Sequence, residues 1–330
     1  MRCVRSALDQ GQLIFGQFPS TSEWFWGPTS REQARRTLEH ALDRGVGAID
    51  TAPCYGWNYG ETLIGEVVRN RPDVIVLTKC GLQWEEEHGK PLLGIKENGR
   101  EYTLWRDLRP TRVRSDCEAS LRRLRRDAID VYQCHWPDPL TPLDDTLEEL
   151  CRLREEGKIR ELGLCNYSPE DVRRACEIAP ISSVQEKFNL LSHRAWRDGR
   201  LDYYAALGVR FLAYAPFEQG LLTRCAASQD SSALYDGRRE GRWLSPDYRR
   251  SVREALLELE PIRRGHNLTV AQMLLLWVLS VSGIHSVLVG MRSLGQVAQN
   301  VAVLSTRLPE DELSAGLIAF SAKTPKRAVC

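Results

Sequence analysis

Eight short runs rich in β-branched residues recur along this 330-residue chain, each separated from the next by a stretch with helical periodicity. No other feature restricts the fold so tightly. Alternating strands and helices build a parallel sheet, because a parallel neighbour needs a crossover long enough to hold a helix. The runs fall at 12–18, 46–50, 74–79, 129–135, 159–165, 182–187, 209–215 and 285–289. Eight is the number at which such a sheet closes on itself. The expected architecture is therefore α/β, a (β/α)8 TIM barrel, with residues 1–330 forming one domain.

The helical stretches carry start and stop signals. Ser30 precedes Arg31-Glu32-Gln33 in a capping pattern, Ala34, Leu38, Ala41 and Leu42 follow at helical spacing, and Gly45 lies past the end. Thr141-Pro142 opens a later helix and Gly157 closes it, Ser168-Pro169 opens the next, and Ser293 opens the one after the eighth strand. Three stretches break the rhythm: a charged segment at about 81–109 that reads as an irregular loop, a second loop at about 218–245, and a tail at 323–330. The two loops leave the C-terminal ends of strands, the face on which barrels build their sites. Trp24 and Trp26 after the first strand, with Trp84 and Trp136, are candidates for the wall of a pocket there, or for loop packing on the rim.

Charge narrows the partners. The formal net charge is +1, with acids and bases interspersed, so the chain has no electrostatic footprint for nucleic acid or an anionic membrane. No run of about eighteen apolar residues offers a membrane span. The ten cysteines are scattered singly with no C-x-x-C pair, and no apolar leader precedes them. Free thiols in a reducing cytoplasm are expected. Cys54, Cys80, Cys134 and Cys165 lack the spacing of a zinc site, so no metal is expected. Oligomeric state is left open.

The polar residues at strand ends carry the chemistry. Asp50 closes the second run, Lys79 the third and His135 the fourth; Asn166 follows the fifth, Gln185 lies in the sixth and Tyr214 in the seventh, and Gly290 and Arg292 follow the eighth. In a closed barrel these ends converge on one mouth. Buried charges require partners, and Asp50 with Lys79 supplies a pair. Tyr55 lies five residues beyond Asp50 in a Gly-flanked loop. A phenol beside that cation is expected to have its pKa lowered, making it a proton donor to a developing alkoxide, with His135 bonding the same oxygen.

These residues sit in motifs that resemble the aldo-keto reductases. Gly45 through Asp50-Thr51-Ala52-Pro53-Cys54-Tyr55-Gly56, with Glu61 and Gly65, is similar to that family's first signature; Leu77-Thr78-Lys79 and Gln133-Cys134-His135-Trp136-Pro137-Asp138 resemble its lysine and histidine motifs. The resemblance continues through Gly163-Leu164-Cys165-Asn166, Val184-Gln185, Ala213-Tyr214-Ala215-Pro216-Phe217 and Gly290-Met291-Arg292-Ser293 to Asn300, and covers about residues 12–305. It implies a catalytic tetrad of Asp50, Tyr55, Lys79 and His135. It implies that Asn166 and Gln185 hold a nicotinamide carboxamide and that Tyr214 stacks on the ring. Ala215, Phe217, Gln219 and Leu222 would line the pyrophosphate and ribose path, and Gly290, Arg292, Ser293, Gln296 and Asn300 the adenosine end. Arg292 beside a helix N-terminus favours NADPH over NADH. Cys165 stands where the family commonly has serine, Gly60 where it has serine, and Gln299 where it has glutamate.

The expected function is NADPH-dependent reduction of an aldehyde or ketone, a small-molecule carbonyl substrate. Alternatives are an NADP-dependent sugar or alcohol dehydrogenase running in the oxidative direction, a cofactor-binding regulatory subunit of the same fold, and a metal-dependent barrel enzyme. Glu85, Glu86, Glu87, His88 and Lys90 suit a sugar or nucleotide-linked sugar, or else a solvated loop.

Overall fold

A computed structural model describes residues 13–226 and 245–323. The strands are β1 (Leu13–Gly16), β2 (Ala48–Asp50), β3 (Ile75–Cys80), β4 (Leu82–Gln83), β5 (Lys90–Glu97), β6 (Arg100–Arg106), β7 (Ile129–Cys134), β8 (Ile159–Cys165), β9 (Ile181–Lys187), β10 (Arg210–Tyr214) and β11 (Ile284–Gly290). All eight predicted runs appear as strands. They close a parallel barrel in the order β1-β11-β10-β9-β8-β7-β3-β2. The first helices are α1 (Phe18–Thr21), α2 (Glu23–Trp26), α3 (Arg31–Asp43), α4 (Tyr59–Val67), α5 (Pro110–Leu124), α6 (Leu143–Glu155) and α7 (Pro169–Ile178). Ser30 and Ser168 cap α3 and α7 by accepting backbone N–H bonds, as their spacing predicts. The helix over 143–155 starts one residue after Pro142, while the Thr141 hydroxyl donates to Asp138 instead.

Side chains alternate across each strand, and this period of two stacks the barrel interior in layers. Ile14, Ala48, Leu77, Val131, Leu212 and Leu288 form one apolar cluster, drawn from six strands. Two residues further along, the same strands present Gly16, Asp50, Lys79, Gln133, Tyr214 and Gly290, with Cys165 and Gln185 completing the ring from β8 and β9. The barrel is thus apolar in its lower interior and polar one layer up, toward its C-terminal mouth.

The segment at about 81–109 is not an irregular loop. β4, β5 and β6 form a separate three-stranded antiparallel sheet in the order β4-β6-β5. The signal was present in Asn98-Gly99, which joins β5 to β6: φ is +50° and +78°, the pair of positive values that a two-residue hairpin turn demands. Scattered charges obscured it, because most of β5 is exposed and β6 is only partly buried. In the second insertion Leu221–Ala226 is helical, and residues 227–244 lie outside the described set, as do 324–330 of the predicted tail.

Two signature residues are explained by packing alone. Glu61, fully buried on α4, accepts from the Thr78 hydroxyl at 2.6 Å and from Arg123 Nε at 2.7 Å, tying α4 to β3 and α5. Gly65 marks the crossing of the two helices: a Cβ there would lie 2.3 Å from the carbonyl oxygen of Arg123 and 2.8 Å from the backbone of Leu124. Helix propensity alone favours Ala by about 1 kcal/mol. The overlap is with backbone, so it decides the sign, and overpacking of this kind costs about 1–3 kcal/mol. Gly65→Ala is expected to lower unfolding free energy by about 1–2 kcal/mol, and a urea titration with an unchanged midpoint would contradict this.

Candidate active site

Four strands bring their polar layer together around one carboxylate. Asp50 Oδ1 accepts from Lys79 Nζ at 2.6 Å; Asp50 Oδ2 accepts from Gln185 Nε2 at 2.8 Å and from Gln133 Nε2 at 3.2 Å. Lys79 is 1% exposed and also donates to the Thr51 carbonyl at 2.8 Å. Gln133 Oε1 accepts from Gln185 and from the Cys165 thiol. The carboxylate therefore meets one cation and two amides. Gln133 sits in the histidine motif yet was given no part in the site, because in sequence a glutamine inside an apolar strand does not reveal which carboxylate it faces.

Tyr55 reaches this network from the loop after β2. Lys79 Nζ lies 3.4 Å from its hydroxyl, and the His135 ring packs edge-on against it with centroids 5.9 Å apart. Asp50, Tyr55 and His135 line one cavity, and Lys79 lies buried beneath it in contact with Asp50 and Tyr55. The expected lowering of the Tyr55 pKa is not what the geometry produces. Burial pushes the phenol well above 10, and the Asp50 charge adds to the rise. The reason is that the Lys79 cation is paired with Asp50 at contact distance, so little net field remains to stabilise a phenolate. Burial, with the Lys79 charge adding to it, holds His135 well below 6.5 as a neutral imidazole, and burial pushes the neighbouring Cys54 thiol up to about 12. Cys54 Sγ lies 4.0 Å from His135 Nδ1. The thiol and the ring nitrogen each can donate or accept, so this contact is compatible with the ring proton on Nε2.

A cavity of about 1010 Å³ opens over this layer. Asp50, Tyr55, His135, Asn166, Gln185 and Tyr214 line its base. Asn166, at φ +63°, donates to the His135 carbonyl at 3.0 Å and accepts from the Tyr214 hydroxyl at 2.8 Å. Ala215, Phe217 and Gln219 line one arm, together with Gly290, Arg292, Gln296, Gln299 and Asn300. Leu222 does not line it. Leu222 is fully buried in the core, and Thr223 reaches the cavity in its place. Ser293 is also absent from the lining, its hydroxyl accepting the Gln296 N–H as a helix cap. The Arg292 guanidinium donates to the carbonyls of Trp26, Gly27 and Pro28 and to Thr29 Oγ1, which holds it against the cavity wall.

Of the four tryptophans, Trp24, Trp26 and Trp136 line the cavity. Trp84 does not. It packs on Trp57 at 5.2 Å, supporting the wall from behind. The acidic run beside it is a solvated turn: Gln83 ties the backbone of Glu85, Glu86 and His88 through its amide, and none of these side chains lines the cavity. Among the described residues no group of three or more His, Cys, Asp or Glu side chains is arranged to hold a metal ion, and no helix is long and apolar enough to cross a membrane.

A barrel with this mouth is the architecture of an oxidoreductase acting on a carbonyl or its alcohol, and comparison with known proteins agrees. Residues 12–315 match the sequence model of the Aldo/keto reductase family, and the chain belongs to that family. It is 31% identical over 290 residues to an NADH-specific methylglyoxal reductase of Escherichia coli, covering 86% of each chain. It is 30% identical to the aldo-keto reductase YhdN of Bacillus subtilis, over 82% of this chain and 78% of that one. The structure of a glycerol dehydrogenase from Gluconobacter oxydans superposes with a TM-score of 0.82 at 31% identity, over 96% of this chain and 93% of the other. Members of the family use nicotinamide cofactors.

A phenol held in its neutral form has a measurable consequence. Between pH 7 and 10 the difference in absorbance near 295 nm between the wild type and Tyr55→Phe should show no ionisation belonging to Tyr55. A phenolate signal below pH 10 would contradict the electrostatics described here.

Proposed function

We propose that the chain reduces an aldehyde or ketone to the alcohol with NADPH, Tyr55 giving the proton. One observation carries this reading: the Tyr55 hydroxyl lies over the buried Lys79–Asp50 pair, beside His135, in a cavity of about 1010 Å³. The residues present fit a nicotinamide dinucleotide. The Tyr214 ring and the Asn166 and Gln185 amides stand at the base of the cavity, and Asn300 Oδ1 at the far arm is buried with no hydrogen-bond donor. An adenine amino group is the kind of donor it lacks. Arg292, oriented by the 26–29 carbonyls and hydroxyl, would meet a 2′-phosphate.

Bound cofactor supplies the hydride. The chain's own residues do the rest. His135, neutral and with its proton on Nε2, donates to the carbonyl oxygen and orients it. Tyr55 holds a proton at neutral pH and releases it to that oxygen as charge develops there. Lys79 lies at 3.4 Å from the phenol oxygen, where it stabilises the phenolate left behind, while Asp50 keeps the ammonium in place. Running the same steps backward oxidises an alcohol, the direction in the name of the glycerol dehydrogenase relative.

Tyr55→Phe should lower kcat by about 10²- to 10⁴-fold while leaving the NADPH dissociation constant within about twofold, measured by stopped-flow turnover and fluorescence titration. Turnover that survives this substitution would remove Tyr55 from its role. Titration of both cofactors onto the free enzyme should show NADPH binding at least about tenfold more tightly than NADH. Equal affinities would reverse the cofactor assignment and leave the proton donor untouched.

A further inference from the structure

We propose that the carbonyl compound taken at Tyr55 is bulky and apolar, an aromatic or long-chain aldehyde or ketone, selected by a wall that the inserted sheet and the α1–α2 segment raise beside the phenol. This rests on the reading of the cavity as a carbonyl reductase site, and it reaches further, to the class of substrate.

The wall starts at the proton donor. The Phe18 ring lies 4.9 Å from the Tyr55 ring, and Trp24, Phe25 and Trp26 continue from it along α2. The inserted sheet faces them with Leu92, Leu93 and Leu104. Two consecutive leucines of one strand reach the same cavity, which ordinary alternation forbids. The register explains it: Pro91 pairs with Trp105 and Leu93 with Leu104, so Leu92 is the extra residue of a bulge. Bulges beside sites re-aim side chains in this way. Trp136 closes the rim.

The wall is held rigid by Glu97, at the tip of the hairpin. Its carboxylate accepts the Trp24 backbone N–H at 3.1 Å and the Trp57 indole N–H, and Trp57 stacks on Tyr102 at 4.5 Å. One side chain thereby fastens the inserted sheet to α2 and to the loop that carries Tyr55. Glu97 is a positioning residue, since it touches the wall and not the reacting atoms.

Charge completes the argument. No wall side chain named here is charged. Among the described residues, the charged groups that line the cavity are Asp50, paired with Lys79, and Arg253, Glu260, Arg263 and Arg292, which come from 246–265 and from the turn after β11. A sugar or a keto acid entering beside Tyr55 would desolvate several hydroxyls or a carboxylate against leucine and aromatic side chains, with the buried and unpartnered Trp24 indole N–H able to satisfy one oxygen. An aryl or alkyl chain would instead be removed from water by surfaces already in place. The glycerol dehydrogenase and methylglyoxal reductase relatives are named for small polar molecules, so this chain is expected to differ from them in preference.

The test is a ratio. With NADPH, kcat/KM for 2-naphthaldehyde should exceed that for methylglyoxal and for glyceraldehyde by at least about tenfold. Leu93 is 45% exposed, so Leu93→Asp should fold, and placing a carboxylate in the wall should shrink the ratio about tenfold. A wild-type ratio at or below one, or a ratio that Leu93→Asp leaves unchanged, overturns the proposal. Binding of 2-naphthalenemethanol, followed by tryptophan quenching, is read in parallel and needs no turnover. Quenching that Leu93→Asp weakens about tenfold, in a protein that reduces no carbonyl, would uphold the wall and sink the reductase reading. Reduction of methylglyoxal in preference to naphthaldehyde would do the reverse.

Discussion

The contact between Lys79 and Asp50 is the constraint on which the site depends. Both side chains lie almost wholly out of water. An ammonium and a carboxylate tolerate such a place only together, and removing one partner of a buried pair costs about 3–5 kcal/mol. The second carboxylate oxygen is satisfied by Gln133 and Gln185, so strands β2, β3, β7 and β9 are bound through one acid. Because the pair is nearly neutral as a unit, it leaves the phenol above it protonated. That arrangement suits a proton donor more than a poised phenolate would. The cation is close enough to act when charge develops and too well compensated to create charge beforehand. The same desolvation keeps His135 neutral beside it.

Around this fixed base the chain builds two differently made arms. The arm proposed for the cofactor is made of backbone under strain. Ala215, Glu218 and Gln219 all adopt positive φ, between +48° and +55°, in a turn that follows β10. Residues other than glycine hold such values only where their surroundings over-determine them. Here the buried Glu218 carboxylate binds Lys187 and the Asn189 amide, and Asn189 also donates to the Ala215 carbonyl at 2.9 Å. The arm proposed for the substrate is made of side chains on added secondary structure, with the small sheet and the two short helices packed through tryptophan and leucine.

The arms meet through Arg292. The residue follows the last barrel strand, yet its guanidinium is fastened to the carbonyls at the end of α2, which carries the aromatic wall. The two arms are therefore mechanically continuous. Gln33 strengthens the join by donating to the Arg292 carbonyl at 2.6 Å.

The sequence by itself determined the barrel and which polar residues end its strands. Strand number, strand order, helix caps and the polar residue ending each strand are all local or periodic features, and period-two alternation carries an inward residue such as Leu77 to the next inward residue, Lys79. Tertiary structure alone decided what those residues feel. That Gln133 serves Asp50, that Leu222 turns to the core while Thr223 faces the cavity, and that Trp84 supports the wall without lining it are matters of contact between segments far apart in the chain. The sign of the Tyr55 shift is decided in the same way. The sequence places a cation near a phenol, but only three dimensions reveal that the cation is already paired and the phenol already dry. The inserted sheet lies between these cases. Its Asn98-Gly99 turn was readable, whereas its role, leucines aimed by a bulge at a distant tyrosine, depends on where the barrel puts it.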